Sequence, residues 1–314
     1  MSVTRSAWGN TSEGAALRVS DRIYRIGGMS ASLTLRPGTP ADIEACSTIC
    51  FDAFGALNAR HNFPSDFPNR QVTAGLFGML LNMPQAYSVI AEQDGRIVGS
   101  NFLWEGGAVS GVGPISVDPS AQGGVGRRLM EAVLARAAEQ RTPSVRLVQA
   151  AFNTTSMSLY TKLGFDVREP LVCMQGPPIG KPIAGYQVRA ATEADVPACG
   201  DICRRVHGHD REGELRGAIP QGTAAVVERG GQIVGYATDI GFFGHAVALD
   251  NPALMTLIAS ARQITGPGML LPSRNGEVFR WCLANGLRMV QPMTLMSLGL
   301  YNEPRGAFMP SILF

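Results

Sequence analysis

Glycines and arginines crowd the start of one predicted helix. The stretch 112–140 reads VGPISVDPSAQGGVGRRLMEAVLARAAEQ, and apolar residues at every fourth position predict a helix from about Gly124 to Gln140. Because the N-terminal end of a helix favours negative charge, Arg127 and Arg128 are misplaced there unless an anion is bound. Glycines let an anion approach the free N–H groups of the first turn, so this combination predicts a phosphate site.

Other interpretations of this loop stay open on the pattern alone. A glycine-rich turn before a surface helix has the same composition. Two common phosphate loops are excluded by the sequence. A dinucleotide-binding G-x-G-x-x-G would need glycine where Leu129 stands, and the pattern G-x-x-x-x-G-K-[ST] does not occur.

A second motif lies at 153–165, which reads NTTSMSLYTKLGF. Asn153 is a natural N-cap and Gly164 a natural helix stop, so a short helix carrying Tyr160 is predicted. Together with ISVDPSAQGGVGRRLM at 115–130, it resembles the GCN5-related N-acetyltransferase (GNAT) superfamily. Members carry [QR]-x-x-G-x-[GA] and often a later N-x(6)-Y-x-x-x-G-F. The resemblance extends over about residues 31–175, and in degenerate form over 186–300.

The resemblance implies a site for acetyl-CoA. The glycine loop would hold the pyrophosphate, and the strand before it would pair with the pantetheine arm like an added strand. Tyr160 matches the family's general acid, which protonates the leaving thiolate; otherwise it is an ordinary aromatic of an amphipathic helix. The implied cofactor-binding residues are Ile115, Ser116, Val117, Gln122, Gly123, Gly124, Val125, Gly126, Arg127, Asn153 and Tyr160.

The loop departs from the family pattern by one missing residue. When Gly124 and Gly126 are aligned with G-x-G, Ala121 takes the Gln/Arg position. Either Gln122 serves in its place or that contact with the cofactor is lost.

The general base is less clearly marked than the acid. Glu105, at the end of a strand, is a candidate that would deprotonate the amine through water, with a solvated strand-end glutamate as the alternative. His61 lies where the family usually shapes its acceptor site, although a loop histidine is usually just solvated. Asp118 precedes a proline and is predicted to be a turn residue. The predicted catalytic residues are Tyr160 and Glu105.

Three segments of the chain occur twice in the same order, which argues for two copies of one fold. LRPGTPADIEACSTICFDAFG at 35–55 resembles VRAATEADVPACGDICRRVHG at 188–208, with an offset of 153. The other pairs are SVIAEQDGRIVG (88–99) with AAVVERGGQIVG (224–235), offset 136, and NTTSMSLYTKLGF (153–165) with NGEVFRWCLANGL (275–287), offset 122.

The repeat predicts the domain organisation. Residues 29–178 would form the acetyl-CoA-binding domain and residues 184–314 a degenerate GNAT-like domain, with the Pro- and Gly-rich segment 176–185 between them. Residues 1–28 are expected to be a flexible N-terminal extension. Each domain is predicted to be a mixed, mostly antiparallel, twisted sheet flanked by helices.

The second copy lacks the residues that suggest cofactor binding in the first. No glycine loop precedes its third helix, and Cys282 stands at the position of Tyr160. We therefore expect it to bind no acetyl-CoA, to support the first copy, and to form one wall of the acceptor cleft.

Composition excludes several other classes of protein. The formal net charge is only +2, so nucleic acid is not an expected partner. No apolar run of about 20 residues suggests a membrane span, and the first 28 residues lack the apolar core of a secretory signal. The six cysteines show no C-x-x-C spacing, which predicts a reduced, cytoplasmic protein without a metal. The pairs Cys46/Cys50 and Cys199/Cys203 are either buried apolar residues or a metal or redox site.

These observations predict an acetyl-CoA-dependent N-acetyltransferase acting on a small-molecule amine or a protein amine, as a monomer or homodimer. The alternative is a non-catalytic acyl-CoA sensor or interaction protein that kept the fold and lost turnover.

Overall fold

The first copy of the repeat contains seven strands and four α-helices in the described residues. The computed structural model describes residues 33–105, 107–121 and 124–313. The strands of the first copy are β1 (Leu33–Pro37), β2 (Ala86–Gln93), β3 (Arg96–Trp104), β4 (Val109–Val112), β5 (Ser116–Val117), β6 (Ser144–Ala150) and β7 (Asp166–Gln175). Its helices are α1 (Ile43–Arg60), α2 (Arg70–Asn82), α3 (Val125–Glu139) and α4 (Thr154–Lys162).

The second copy follows a similar order, with one strand before its third helix where the first copy has two, and with one further strand at its end. Its strands are β8 (Tyr186–Ala190), β9 (Ala225–Arg229), β10 (Gln232–Ala237), β11 (Ala246–Ala248), β12 (Met269–Pro272) and β13 (Arg288–Gly299). Its helices are α5 (Val196–His207), α6 (Glu212–Ala218), α7 (Asn251–Ser260) and α8 (Gly276–Ala284). The final strand, β14 (Ala307–Met309), has no counterpart in the first copy.

A duplicated ionic cluster shows the repeat at atomic level. Arg36 Nε donates to Glu92 at 2.8 Å and its Nη2 donates to Asp42 at 2.7 Å. Arg189 makes the same bonds to its own glutamate and aspartate, each at 2.8 Å. The partners in the second copy are Glu228 and Asp195, at the predicted offsets of 136 and 153. In both copies this aspartate completes a capping box with a threonine, so one sequence pattern folds twice the same way.

The two copies share a sheet instead of each closing its own. The nine-stranded sheet runs β1-β2-β3-β4-β6-β13-β7-β12, with β5 paired to β3. Strand β13 of the second copy lies between β6 and β7 of the first, pairing antiparallel with both. Strand β12 then pairs with β7. The five-stranded remainder of the second copy runs β14-β11-β10-β9-β8.

Helices cover both faces of the larger sheet. Along β2, the side chains of Val89 and Ala91 pack into the core beneath α3, whereas Ile90 packs beneath α1 and α2. The turn between β2 and β3 is the predicted Asp94-Gly95 hairpin, with both residues at positive φ. Among the helices in the described part of the chain, none has the length and apolar character needed to cross a membrane.

The segment 108–117, expected to be one strand, is divided in two. Strand β4 pairs in parallel with β6 over Val109–Gly111. The strand is then interrupted at Gly113-Pro114. Beyond the break, β5 stays paired with β3 but leaves β6. Two neighbouring strands therefore separate here and leave a gap in the sheet.

Candidate functional site

A cavity of about 820 Å³ occupies this gap. Its walls come from α3 and α4 on one face of the sheet and from α1 and the α1–α2 loop on the other. The cavity therefore passes through the sheet between β5 and β6. Such a passage allows two molecules to meet from opposite faces.

The predicted anion site lies at the α3 end of this cavity. Gly124 occupies the N-cap of α3 with φ of 73°, a conformation that glycine adopts at little cost, and among the described residues no side chain caps the helix. The amide N–H groups of Val125, Gly126 and Arg127 belong to the first turn, which has no intrahelical acceptors. Gly124, Gly126 and Arg127 line the cavity. Gln122 and Gly123 lie outside the described residues.

Two of these loop residues have further structural roles. The side chain of Val125 is 3% exposed and packs in the core, so only its backbone faces a ligand. Arg127 is half-exposed and pairs with Glu131 one turn along α3, at 2.8 Å. The arginine is thus placed beside the helix start without being buried in a permanent ion pair.

The residues predicted to hold the pantetheine arm line the gap as β5 and its approach. Ile115, Ser116 and Val117 all face the cavity. Ser116 and Val117 pair with β3 along one edge. The opposite edge of β5 faces the gap, where backbone N–H and C=O groups are free to pair with an extended amide-bearing chain.

Tyr160 lies on the cavity wall, on α4. It is 5% exposed, and burial raises the pKa of its phenol to about 12, with a smaller opposing contribution from Ser156. A phenol with this pKa is protonated at neutral pH and therefore available as a proton donor. Asn153 also lines the cavity; its side chain accepts from the N–H of Ser156 at 3.1 Å, as the predicted N-cap requires.

Two polar cavity residues were missed by the sequence analysis. Gln149 on β6 is 7% exposed, and neither atom of its amide group has a hydrogen-bond partner within the described residues. Asp66, in the α1–α2 loop, accepts from Gln291 Nε2 at 2.8 Å. Burial raises the pKa of Asp66, with smaller opposing effects from Gln291 and Asn58. A glutamine inside a strand and an aspartate in a loop give no sequence signal of a shared cavity.

The structure does not bring Glu105, the predicted base, to the cavity. Its carboxylate forms a bidentate ion pair with Arg136 of α3, at 2.7 and 3.0 Å, and it is not among the cavity-lining residues. The prediction followed strand order and took no account of the helix packed beside that strand end. His61 is likewise away from the cavity wall, with its ring 5.1 Å from that of Phe152.

The cysteine pairs lie in separate cores. Cys46 and Cys50 pack beneath α1 and α2, whereas Cys199 and Cys203 pack in the core of the second copy. All four are buried and free, and burial raises the pKa of Cys46 to about 12. They are small apolar core residues here, because the two pairs do not meet. Within the described residues, no group of three or more His, Cys, Asp or Glu side chains is placed to hold a metal ion.

The corresponding positions in the second copy are filled by the chain itself. At the start of α7, the carboxylate of Asp250 accepts from the N–H of Ala253 at 2.9 Å, and Pro252 removes a further donor. Strand β14 pairs with the edge of β11 that corresponds to the free edge of β5. Cys282 lies buried where the first copy has Tyr160.

A mixed sheet with helices on both faces, a gap between neighbouring strands and a glycine-started helix at that gap define the GNAT fold. Residues 57–165 match the model of the Acetyltransferase (GNAT) family. Among curated proteins, none matches this chain by sequence.

Solved structures extend the fold over both copies. A candidate acetyltransferase from Pyrococcus horikoshii is 19% identical, with a TM-score of 0.68 over 91% of this chain and 97% of that one. A GCN5-related N-acetyltransferase from Sphaerobacter thermophilus is 15% identical, with a TM-score of 0.55 over 86% and 96%. A tandem GNAT protein from the clavulanic acid biosynthesis pathway is 14% identical, with a TM-score of 0.52 over 85% and 98%. At these identities the likeness concerns the fold alone.

Proposed function

We propose that this protein transfers an acetyl group from acetyl-CoA to a primary amine, and that the first copy alone holds the cofactor. The observation that carries the proposal is the cavity through the sheet, because it joins an uncapped helix start to a buried tyrosine. A non-catalytic sensor would need the helix start but not a protonated phenol at the gap. Tyr160 therefore favours the enzyme.

The cofactor would lie along α3 and β5. The first-turn amides of Val125, Gly126 and Arg127 would bind the pyrophosphate, with the Arg127 guanidinium adding positive charge. The free edge of β5 would pair with the pantetheine amides. Gln149 offers a buried donor and acceptor that such a ligand would satisfy, since leaving both unpaired costs free energy.

The chemical step requires a nucleophile, a stabilised oxyanion and a protonated leaving group. The neutral amine attacks the thioester carbonyl carbon, and the Val117 N–H is the proposed donor to the developing oxyanion. As the C–S bond breaks, Tyr160 gives its proton to the thiolate, and the amine nitrogen, which must lose a proton, returns one to the phenolate.

Calorimetric titration of acetyl-CoA into the full chain tests the cofactor site. We expect one mole of ligand per chain, and a loss of affinity of at least about 100-fold in Gly124→Asp, which places at α3 the acidic cap that α7 has. A control variant, Gly180→Asp, changes a glycine of similar φ in the interdomain segment and should bind normally. Absence of binding by the wild-type chain would contradict the proposal.

A further inference from the structure

The acceptor end of the cavity carries one carboxyl group. Asp66 lies on the α1–α2 face of the sheet, opposite the α3–α4 face on which the cofactor is proposed to bind. Gln291 of the second copy holds its carboxylate by a hydrogen bond of 2.8 Å, and the amide of Asn58, which donates to the Pro64 carbonyl, lies nearby and lowers its pKa. This carboxylate is held by amides and by no cation, so its negative charge is uncompensated in the described structure.

Apolar side chains from both copies line the same cavity as this carboxyl group. Phe54 and Phe67 of the first copy lie with ring centroids 5.9 Å apart. Phe242 and Phe243, from the β10–β11 loop, face the same cavity, with centroids 5.8 Å apart. The C-terminal segment closes this wall, where the N–H of Ile312 donates to the carbonyl of Phe242 at 2.8 Å.

The ionisable groups of this end limit the charge that an acceptor can carry. Among the described residues lining the α1–α2 face, the ionisable ones are Asp66 and Arg60, and Arg60 is exposed at the end of α1. A polyamine would leave additional ammonium groups unpaired against phenylalanine rings. An amino acid would place its carboxylate on the same apolar surface, which costs free energy.

On the basis of the proposed function, we infer that the acceptor is a small primary amine carried on an apolar body, and that Asp66 recognises its ammonium group. The ammonium gives one proton to the Asp66 carboxylate, and the resulting amine forms the C–N bond as the C–S bond breaks. Asp66 then releases its proton to solvent. The phenylalanines of both copies hold the apolar body against the gap.

Steady-state acetylation, followed as release of free CoA thiol, tests this inference. The probes are 2-phenylethylamine and cyclohexylmethylamine as apolar amines, with spermidine, lysine and a tripeptide as polar ones. We expect the apolar amines to have the highest kcat/KM. Asp66→Asn should lower their kcat/KM by at least about 100-fold while the acetyl-CoA dissociation constant stays the same.

Two further variants distinguish a loss of acceptor recognition from a general loss of folding or activity. Glu105→Gln makes the same carboxyl-to-amide change outside the cavity and should stay within about threefold of wild type. Phe243→Ala changes a side chain that is 45% exposed, so the fold should tolerate it, and should raise KM for the apolar amines about 10-fold with kcat preserved.

The outcomes distinguish this inference from the proposed function. Absence of acetyl-CoA binding overturns the proposed function itself. Normal acetyl-CoA binding overturns the inference if the polar probes are the better acceptors, if no probe is acetylated, or if Asp66→Asn leaves kcat/KM within about threefold.

A second, independent observation is a buried arginine that has no acidic partner among the described residues. Arg146 on β6 is 6% exposed, and its Nε atom has no hydrogen-bond partner within the described residues. Its guanidinium lies 5.1 Å from the ring centroid of Tyr301. A buried cation without a counter-charge costs several kcal/mol, so a missing anion is indicated.

Other unpaired polar atoms line the same small cavity. The Tyr301 hydroxyl and His209 Nε2 are buried without partners among the described residues, and both residues line a cavity of about 20 Å³ beside Arg146. Burial and the charge of Arg146 lower the pKa of His209 to about 4, so the histidine is neutral and Arg146 carries the charge. This volume holds one particle of about the size of a water molecule.

We propose that this cavity between the copies binds a small monovalent anion of chloride size. Arg146 supplies the charge, and the Tyr301 hydroxyl supplies a hydrogen-bond donor. Anion binding would stabilise the packing of the second copy against β6, because the ligand binds only the folded chain.

Thermal unfolding in chloride and in gluconate, at equal ionic strength, tests this site. We expect a melting temperature several degrees higher in chloride for wild type, a smaller difference in Tyr301→Phe, and none in Arg146→Met. Arg288→Met, which removes an exposed arginine, should keep the full difference. Equal melting temperatures of wild type in the two salts would overturn the site, as would a chloride effect that survives in Arg146→Met. The absence of anomalous density at Arg146 in a bromide-soaked crystal would also overturn the site.

Discussion

The two copies have the same fold and differ at the two places where acetyl-CoA would bind. In the first copy, α3 begins with an uncapped glycine, and β5 leaves one edge unpaired. In the second copy, Asp250 caps α7 with its own carboxylate, and β14 pairs with the matching edge of β11. The second copy therefore contains internal replacements for both the phosphate and the extended arm of a cofactor.

Under the proposed function, this difference means that a few local changes would close a cofactor site without changing the fold. A carboxylate at a helix N-cap satisfies the same free N–H groups as a phosphate does. The Asp250 carboxylate also accepts from Tyr186 and Arg229, so it is firmly held. What the second copy contributes instead is structural: strand β13 completes the sheet of the first copy, and Gln291 orients Asp66.

The largest effect is expected at Tyr160 of the first copy, whose counterpart in the second copy is Cys282. Tyr160→Phe removes the proton donor and should lower kcat by about 100- to 1,000-fold, with acetyl-CoA binding unchanged in calorimetry. Cys282→Ala alters the equivalent position in the second copy and should leave kcat within about threefold. Equal kcat values for wild type and Tyr160→Phe would contradict the proposed acid and favour the sensor.

A smaller effect is expected from removing the acidic cap of the second copy. Asp250→Ala should lower the free energy of unfolding by about 1–2 kcal/mol, because the cap of α7 is lost. The acetyl-CoA stoichiometry should remain one per chain, since β14 still occupies the edge of β11. A second mole of bound ligand in calorimetry would show that Asp250 alone had closed the second site.

The difference in stability between Asp66→Asn and wild type should depend on pH. Burial raises the pKa of Asp66, so the folded chain holds this proton more tightly than the unfolded chain does. The stabilisation that the folded chain gains by holding this proton is fully present below the ordinary carboxyl pKa. It is lost as pH rises through the raised pKa of Asp66 in the folded chain. The groups around the carboxyl are the thiols of Cys50 and Cys173 and the amides of Asn58 and Gln291, none of them cationic.

At neutral pH the wild-type chain therefore bears the cost of a desolvated carboxylate. Asp66→Asn should melt at a higher temperature than wild type at pH 7, and the difference should shrink toward about pH 4. Scanning calorimetry across this range measures it. A lower melting temperature of the variant at pH 7 would argue that Asp66 is a structural residue.

The smallest effect is expected at Glu105. Its ion pair with Arg136 is partly exposed, so Glu105→Gln should change the free energy of unfolding by about 1 kcal/mol or less, as read from urea unfolding. Elevated salt should reduce the difference between the variant and wild type.

Local features of the fold could be predicted from the sequence because each depends on neighbours along the chain. Helix α3, the Asn153 cap and the helix stop at Gly164 lie where the residue pattern placed them. The repeat offsets also predicted the duplicated ionic clusters, since a duplicated sequence folds by the same local rules. For the candidate site, the pattern identified the glycine loop and Tyr160, and the structure brings both to one cavity.

The sequence by itself determined the family resemblance, the repeat and the position of the glycine loop and Tyr160, because motif spacing is a property of the chain. Only the tertiary structure decided the acceptor side. Asp66 and Gln291 are 225 residues apart, and their contact exists because β13 enters the sheet of the first copy. The same long-range packing paired Glu105 with Arg136 and placed β14 on β11. Strand exchange depends on pairing between distant segments, and no local pattern specifies it.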